Sequence, residues 1–305
     1  NGLNFQGNAD TYTVEYTTDG QSVNLVYSDS TKGWLPLEDD VVADEPVYPQ
    51  TQKAILGYGS GRTNLTNLIN SSGVVGADVT GVGTARNGLA AAGYGGDKAI
   101  FGFGNTGSFT AITNLVNNSG VVAANVSGVG TARMELAAAT YGNDKAIFGF
   151  GTNSSEGTPV SLTNLVNNSG VVAADVTGVG TDKRLLAATG YGTDKAIFGY
   201  GYDTGNASIT NLVSNSGVVA TDTSGVGTAR YGLAAARYGG DKALFAYGYV
   251  SGVVSLKNLV NNVGTVAADV SGVGTARQGV AAAGYGGDKA IFGYGSSHVS
   301  NLVSN

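Results

Sequence analysis

The phrase Lys-Ala-Ile-Phe-Gly-Tyr-Gly, or a near copy of it, begins at Lys53, Lys98, Lys145, Lys195, Lys242 and Lys289, at spacings of 45, 47, 50, 47 and 47 residues. A fixed period of this size means one supersecondary unit made repeatedly, each unit burying its apolar face against the next. Between these phrases recur Thr-Asn-Leu-Val, as at 113–116, and Gly-Val-Val-Ala-x-Asp, as at 217–222. Gly-Val-Gly-Thr-Ala-Arg follows, ending at Arg86, Arg133, Arg230 and Arg277, with Thr181-Asp182-Lys183 closing the third copy.

Each unit divides into four short strand candidates: the alanine-rich segment Gly-Leu-Ala-Ala-Ala-Gly-Tyr (strand a), Lys-Ala-Ile-Phe-Gly-Tyr (b), Ile-Thr-Asn-Leu-Val (c) and Gly-Val-Val-Ala (d). Gly-Gly-Asp and Asn-Ser-Gly segments between them supply the positive φ and side-chain-capped positions that tight turns need. With 50 glycines and only 4 prolines among 305 residues, short strands and turns are favoured over long helices. The sequence predicts an all-β chain, a β-propeller of about six four-stranded blades spanning residues 46–305, preceded by a small amino-terminal β module. A stacked β-solenoid is the competing architecture. The small side chains Ala90, Ala91 and Ala92 suit a crowded axis, so strand a is expected innermost, and the glycines of strand b should let neighbouring sheets approach closely. Strands b and c occur six times but complete d and a strands only five. Residues Val41–Gln52 could close the ring as an edge strand, the place to which Pro46 and Pro49 would confine them. A chain continuing past Asn305 would instead allow a seventh blade.

The order of features resembles the kelch family. The match is carried by Gly-Thr-Ala-Arg-Tyr-Gly-Leu-Ala-Ala-Ala at 227–236, followed by Asp241-Lys242-Ala243-Leu244-Phe245-Ala246-Tyr247-Gly248, and it extends over residues 53–305. The kelch double glycine is Gly-Tyr-Gly here, and the usual strand-d tryptophan is missing. The resemblance implies a propeller and carries no partner with it.

Residues 1–45 stand outside the repeat and read as alternating strands, Tyr12–Tyr16 and Ser22–Tyr27, with Gly33-Trp34-Leu35-Pro36 after them. Asp39, Asp40, Asp44 and Glu45 read as a solvated linker. The run Asp19–Ser28 through Gly33-Trp34 looks like a segment common in tail-fibre and other virion proteins of tailed bacteriophages, marine ones in particular, and the glycine-rich repeats also resemble repeats of such proteins. That resemblance implies a virion location, with the amino-terminal module joining other virion proteins. Asn1, where an initiating Met would stand, reads as a chain processed or trimmed from something longer.

Several function classes are disfavoured. A net charge of −6 offers no clustered Lys and Arg for phosphate backbones or anionic lipid, so no nucleic acid and no membrane insertion are expected. There is no cysteine, and glycine or polar residues interrupt every apolar run before membrane-spanning length. No nucleophile with a positioned base, no catalytic carboxylate pair, no zinc spacing and no Walker loop is visible, so the chain reads as a non-enzyme with no metal and no cofactor. His298, the only histidine, is either an ordinary loop residue or a recognition contact.

Two kinds of position remain. Arg86, Arg133, Arg230 and Arg277 could bind anions, but a residue needed by every repeat fits a structural joint between blades better. Tyr94, Tyr141, Tyr191, Tyr238 and Tyr285 could stack on sugars or pack between blades; Asp97, Asp144, Asp194, Asp241 and Asp288 read as turn caps. Where copies differ is more informative. The b–c loops (60–64, 105–111, 152–161, 202–208, 249–255 and 296–298) and the residues after the Arg (Asn87, Met134, Arg184, Tyr231, Gln278) vary, and strand direction puts them on one face. One constant scaffold presenting a diversified surface suggests recognition, with exposed-loop drift as the plain alternative. Tyr202, Asp203, Tyr231 and Tyr249 are the candidate contacts, for a host-surface glycan or protein. The competing functional expectations are a purely structural virion component (a decoration or connector), and a propeller glycosidase or lyase. A homo-oligomer is compatible with either.

Overall fold

The computed structural model describes residues 25–31, 33–36 and 53–304. The chain divides into two compact units, residues 1–50 and 51–305. The expected strand at Tyr12–Tyr16, the acidic linker and the closing strand at Val41–Gln52 lie outside the described residues. In the first unit β1 (Leu25–Tyr27) and β2 (Trp34–Pro36) form an antiparallel hairpin in which Tyr27 meets the Trp34 ring edge-on at 5.6 Å. Gly33, at φ 71, turns the chain, its N–H donating to Asp29 O and its carbonyl accepting from Ser28 N.

The second unit is all-β: six three-stranded antiparallel sheets. The first contains β3 (Ala54–Gly57), β4 (Leu65–Ile69) and β5 (Val79–Thr80), in that order. The other five follow the a-b-c order: β6 (Ala90–Tyr94), β7 (Lys98–Gly102), β8 (Thr113–Val116); β9 (Ala137–Tyr141), β10 (Lys145–Gly149), β11 (Thr163–Val166); β12 (Ala187–Tyr191), β13 (Lys195–Tyr202), β14 (Asn206–Val213); β15 (Ala234–Tyr238), β16 (Lys242–Ala246), β17 (Lys257–Val260); β18 (Ala281–Tyr285), β19 (Lys289–Gly293), β20 (Ser300–Val303). The a–b turn opens with glycine at positive φ, Gly95 at 61° and Gly96 at 79°; Asn143, at 68°, replaces the second glycine in the next sheet, as asparagine tolerates this region best among L-residues. At the c–d turn the Asn117 side chain accepts from the N–H groups of Ser119 and Val121.

The four-stranded unit expected from the sequence forms only in part. The Gly-Val-Val-Ala segment is held by isolated bridges on either side of a bulge, as at Val116↔Val122 and Thr113↔Val126, or Val166↔Val172 and Thr163↔Val176. Three residues, 173–175, oppose two, 164–165, and the extra residue interrupts the ladder. The bulge has a use: it brings Asp175 to 2.9 Å from the Asn164 amide.

Sheets pack face to face through the strand-b phenylalanines. Phe148 packs on Phe103, Phe198 on Phe150 and Phe245 on Tyr200, at ring separations of 5.1, 5.2 and 5.1 Å. A Cβ on Gly102, Gly149 or Gly199 would fall 2.6–2.7 Å from the phenylalanine of the following sheet, so glycine there permits this close sheet spacing. The fifth sheet has Ala246 instead, and its pair, Tyr247 and Phe292, is spread to 5.8 Å. Each apolar cluster joins one sheet to the next, and a last cluster of Ala54, Leu56, Ile69, Tyr285 and Ile291 packs the sixth sheet on the first.

Strands β6, β9, β12, β15 and β18 pack side by side in succession. Backbone hydrogen bonds tie them at both ends. On one side Gly95, Gly142, Gly192 and Gly239 each donate to the carbonyl of the next sheet's turn aspartate, at 2.6–2.7 Å. On the other, Glu135, Leu185, Gly232 and Gly279 each donate to the equivalent residue one sheet earlier, at 2.7–2.9 Å. All these latter residues have positive φ, so Glu135 (58°) and Leu185 (53°) occupy a conformation that glycine provides elsewhere.

Candidate functional site

Two sets of side chains occupy the end where the b–c loops and the d–a linkers meet. The first is buried. Arg86, Arg133, Arg230 and Arg277 are fully inaccessible, and each guanidinium lies over an aromatic ring of the preceding sheet (Tyr58, Phe103, Tyr200 and Tyr247) at 4.1–4.4 Å. These aromatics directly follow the Lys-Ala-Ile-Phe-Gly position of strand b, Tyr200 at the irregularity within β13, and have φ of 62–66°, a left-handed conformation unfavourable for L-residues. It tilts each ring beneath its arginine, a role the sequence did not reveal. Arg133 Nε donates to Phe150 O at 2.9 Å, Nη1 to Thr131 O at 3.1 Å and Nη2 to Asn164 Oδ1 at 2.7 Å; Asp175 lies 3.8 Å away. Arg230 repeats this with Tyr247, Thr228, Asn258 and Asp269. Thr131 completes the joint by donating its N–H and hydroxyl to Asp175 Oδ2, at 2.9 and 2.6 Å. Burial raises the Asp175 pKa, but hydrogen bonds from Thr131 and Asn164 outweigh it and hold the carboxyl below its ordinary value. Burial lowers the Arg86, Arg133 and Arg230 pKa values, and guanidinium stays charged at neutral pH regardless.

The third copy substitutes Lys183, whose Nζ donates to Asn211 Oδ1 and lies over the Phe150 ring at 4.5 Å. Burial pulls this ammonium down to about 8, offset only in part by Asp222. An unfolded lysine titrates near 10.5, so between about pH 8 and 10.5 the unfolded chain binds the additional proton. Stability is therefore expected to rise with pH across that window, by about 3 kcal/mol in total. Lys183→Arg, which restores the residue of the other joints, should flatten the rise; equal slopes for parent and variant in alkaline denaturation series would count against this joint as its source.

The recurrent tyrosines point to the opposite end. A Cβ on Gly170, Gly217, Gly264 or Gly73 would fall 2.8–3.0 Å from Tyr94, Tyr141, Tyr191 or Tyr285, so each ring seats on the c–d turn of the following sheet. The Asp97 carboxylate accepts from Lys98 and from Asn118 of the c–d turn, both at 3.0 Å, which ties the a–b turn to the c–d turn.

The second set is variable and accessible. Linker and loop pair directly, at Asn87↔Asn105, Met134↔Thr152, Arg184↔Tyr202 and Tyr231↔Tyr249, which brings the two kinds of varying position together. Tyr231 meets Tyr202 edge-on at 5.6 Å and Tyr249 at 5.4 Å, forming a three-ring ladder across the fourth and fifth sheets. Arg184 lies over the Tyr202 ring at 5.3 Å and its Nη1 donates to Glu135 Oε2 at 2.5 Å, which extends the ladder to the third sheet. All three tyrosines are half-buried, as is Asp203, whose carboxylate has no hydrogen-bond partner among the described residues. The sequence matches no family model and no curated protein. Loop length varies less than the sequence suggests. Bridges at Asn105↔Phe109 and Tyr249↔Val253, and the ladder pair Tyr202↔Asn206, leave tips of three residues in each case; of the four loops closed by such a pair, that of the third sheet has the longer tip, 153–158, between Thr152 and Pro159. The segment Tyr202–Ser208 is thus mostly an extension of β13 and β14, with only 203–205 as a turn.

Among the described residues no group of three or more His, Cys, Asp or Glu side chains is arranged to hold a metal ion. What the ladder offers is stacking area, phenolic hydroxyls and a carboxylate acceptor, the groups that recognise sugar rings or polar peptide surfaces.

Proposed function

We propose that residues 51–305 form a six-bladed β-propeller with strand a innermost, and that the chain is a bacteriophage virion protein of a tail fibre or appendage whose variable face binds a host-surface glycan or protein. The packing of the sixth sheet on the first supports the ring, and the side-by-side a strands support its axis. The Tyr202–Tyr231–Tyr249 ladder carries the binding reading: three half-exposed rings held in register by paired backbone, beside the unengaged Asp203 carboxylate. The viral setting rests on the sequence resemblance, and the amino-terminal unit would join other virion proteins.

A second reading, a connector or decoration packed on other subunits, has its own observation. Val74, Val121, Val171 and Val218, equivalent residues after the c–d turn, are 60–66% exposed, a repeated apolar feature that suits protein contacts. Screening the full chain against bacterial surface polysaccharides and intact host cells separates the two. Saturable binding that Tyr231→Ala weakens by about tenfold or more, with unchanged melting, is the expected result. Binding that survives Tyr231→Ala moves the contact elsewhere, and no saturable binding favours the connector.

A further inference from the structure

Along the tyrosine ladder the third, fourth and fifth sheets meet a ligand with side chains rather than backbone. Arg184 and Tyr202 exchange N–H and carbonyl at 2.8–2.9 Å, and Tyr231 and Tyr249 do so at 2.8–3.2 Å. Tyr202↔Asn206 and Tyr249↔Val253 pair the same loops on their other side. A peptide strand that binds through main-chain hydrogen bonds therefore has no open edge to join at these residues. The rings also touch one another, at 5.6 Å for Tyr202 with Tyr231 and 5.4 Å for Tyr231 with Tyr249, which leaves no gap between neighbours to enclose a single group. What they form is a strip of successive half-buried rings and hydroxyls crossing two sheets.

Charge on this strip has one sign. Arg184 is taken up within the protein: Nη1 donates to Glu135 Oε2 at 2.5 Å, the guanidinium lies over Tyr202, and a Cβ on Gly157 of the third sheet's loop tip would fall 3.2 Å from Nη2. That contact also brings the tip residue Glu156, which is exposed, to the Arg184 end of the strip. Asp203 directly follows Tyr202. Neither the Glu156 nor the Asp203 carboxylate has a partner among the described residues. The loops 152–161, 202–208 and 249–255 contain no Lys or Arg, so an acidic ligand finds no cation there to pair with. An ammonium group finds two carboxylates, and the ring faces, themselves negative, attract it as well.

We infer that the ladder takes a linear glycan bearing free amino groups, laid along Tyr202, Tyr231 and Tyr249. Successive sugar rings stack on successive tyrosines, the phenolic hydroxyls bond to sugar hydroxyls, and an ammonium faces Asp203. The assignment rests on the reading of this face as a recognition surface and adds the class of ligand.

The test uses the full chain and glucosamine oligomers of increasing length from the monomer, at a mildly acidic pH where the sugar amines carry their proton. N-acetylglucosamine oligomers and oligogalacturonate of matching lengths are the controls, with a peptide of alternating lysine and glycine as a cation that has no sugar rings. Affinity for the glucosamine series should rise with length until the three rings are covered, then level off. The acetylated series should bind about fivefold more weakly at low salt, the difference shrinking as salt is added, and the acidic series should not bind measurably. Asp203→Asn should bring the glucosamine and acetylated series together with melting unchanged, whereas Tyr231→Ala should weaken both about tenfold. Equal binding of the amine and acetylated series, with Tyr231→Ala still weakening both, would overturn the amine assignment and leave the recognition face standing. The lysine peptide binding as tightly as the glucosamine oligomers, or no glucosamine oligomer binding at all, would overturn the assignment too. Host-cell attachment untouched by Tyr231→Ala would overturn the face itself.

Discussion

Arg230→Ala should lower the unfolding free energy by about 3 to 5 kcal/mol, the cost of removing one partner from a buried charged cluster. Three hydrogen bonds, to Tyr247 O, Thr228 O and Asn258 Oδ1, are lost together with the contact over Tyr200. Asp269 loses the cation 3.8 Å away and keeps only its neutral donors, while a cavity opens between two sheets. Arg230→Lys should recover part of the loss, because Lys183 already serves one joint in this way. Arg277→Ala should cost less: no acid lies within ion-pair distance of it among the described residues, and its Nε has no partner. Chemical denaturation of the three variants gives the ranking. A shift under about 1 kcal/mol for Arg230→Ala, with ligand binding lost, would make the residue a contact rather than a joint.

Replacing Tyr202–Ser208 by the shorter Ser60–Asn64 segment should abolish most attachment to host cells while leaving melting within a few degrees of the parent. The exchange removes Tyr202, and with it the edge-on contact to Tyr231 and the ring beneath Arg184, and it removes the Asp203 carboxylate. What it costs the fold is confined to the loop end: the terminal pairs Gly201↔Ala207 and Tyr202↔Asn206 of β13 and β14, the Arg184↔Tyr202 bridge, and the Asn206 bond to Val250 O at 3.2 Å. Surface loop length has only a weak effect on stability. Competition between the purified chain and virions for host cells reads the outcome. A loop-exchanged chain that competes as well as the parent removes this face from recognition and strengthens the connector reading.

The repeat made much of this legible before any coordinates. Strands a, b and c fall where the alanine-rich, Lys-Ala-Ile-Phe-Gly and Thr-Asn-Leu-Val segments are, because each is a short run bounded by turn residues. Pairing of loop with linker followed from strand direction, and it put Tyr202, Tyr231 and Tyr249 within ring contact of one another. Strand d was overestimated, since Val-Val-Ala-x-Asp reads as a strand while the bulge that aims Asp175 leaves no mark in residue type. The left-handed aromatics were missed for a related reason. Gly-Tyr-Gly announces flexibility at its glycines, but Tyr200 itself takes φ 62, a strain held by Arg230, 30 residues later in the chain. Arg184 was placed on the varying face, but its partner Glu135 was missed; their pairing joins two copies and does not recur in the others, so periodicity gives no signal for it.

A density map of the whole assembly that contains this chain tests the central claim most directly. The account predicts six sheets around one axis, strand a innermost, with the Tyr202, Tyr231 and Tyr249 loops facing outward at a distal, unobstructed tip. Sheets stacked along a coil, or that same face covered by other virion subunits, would contradict it.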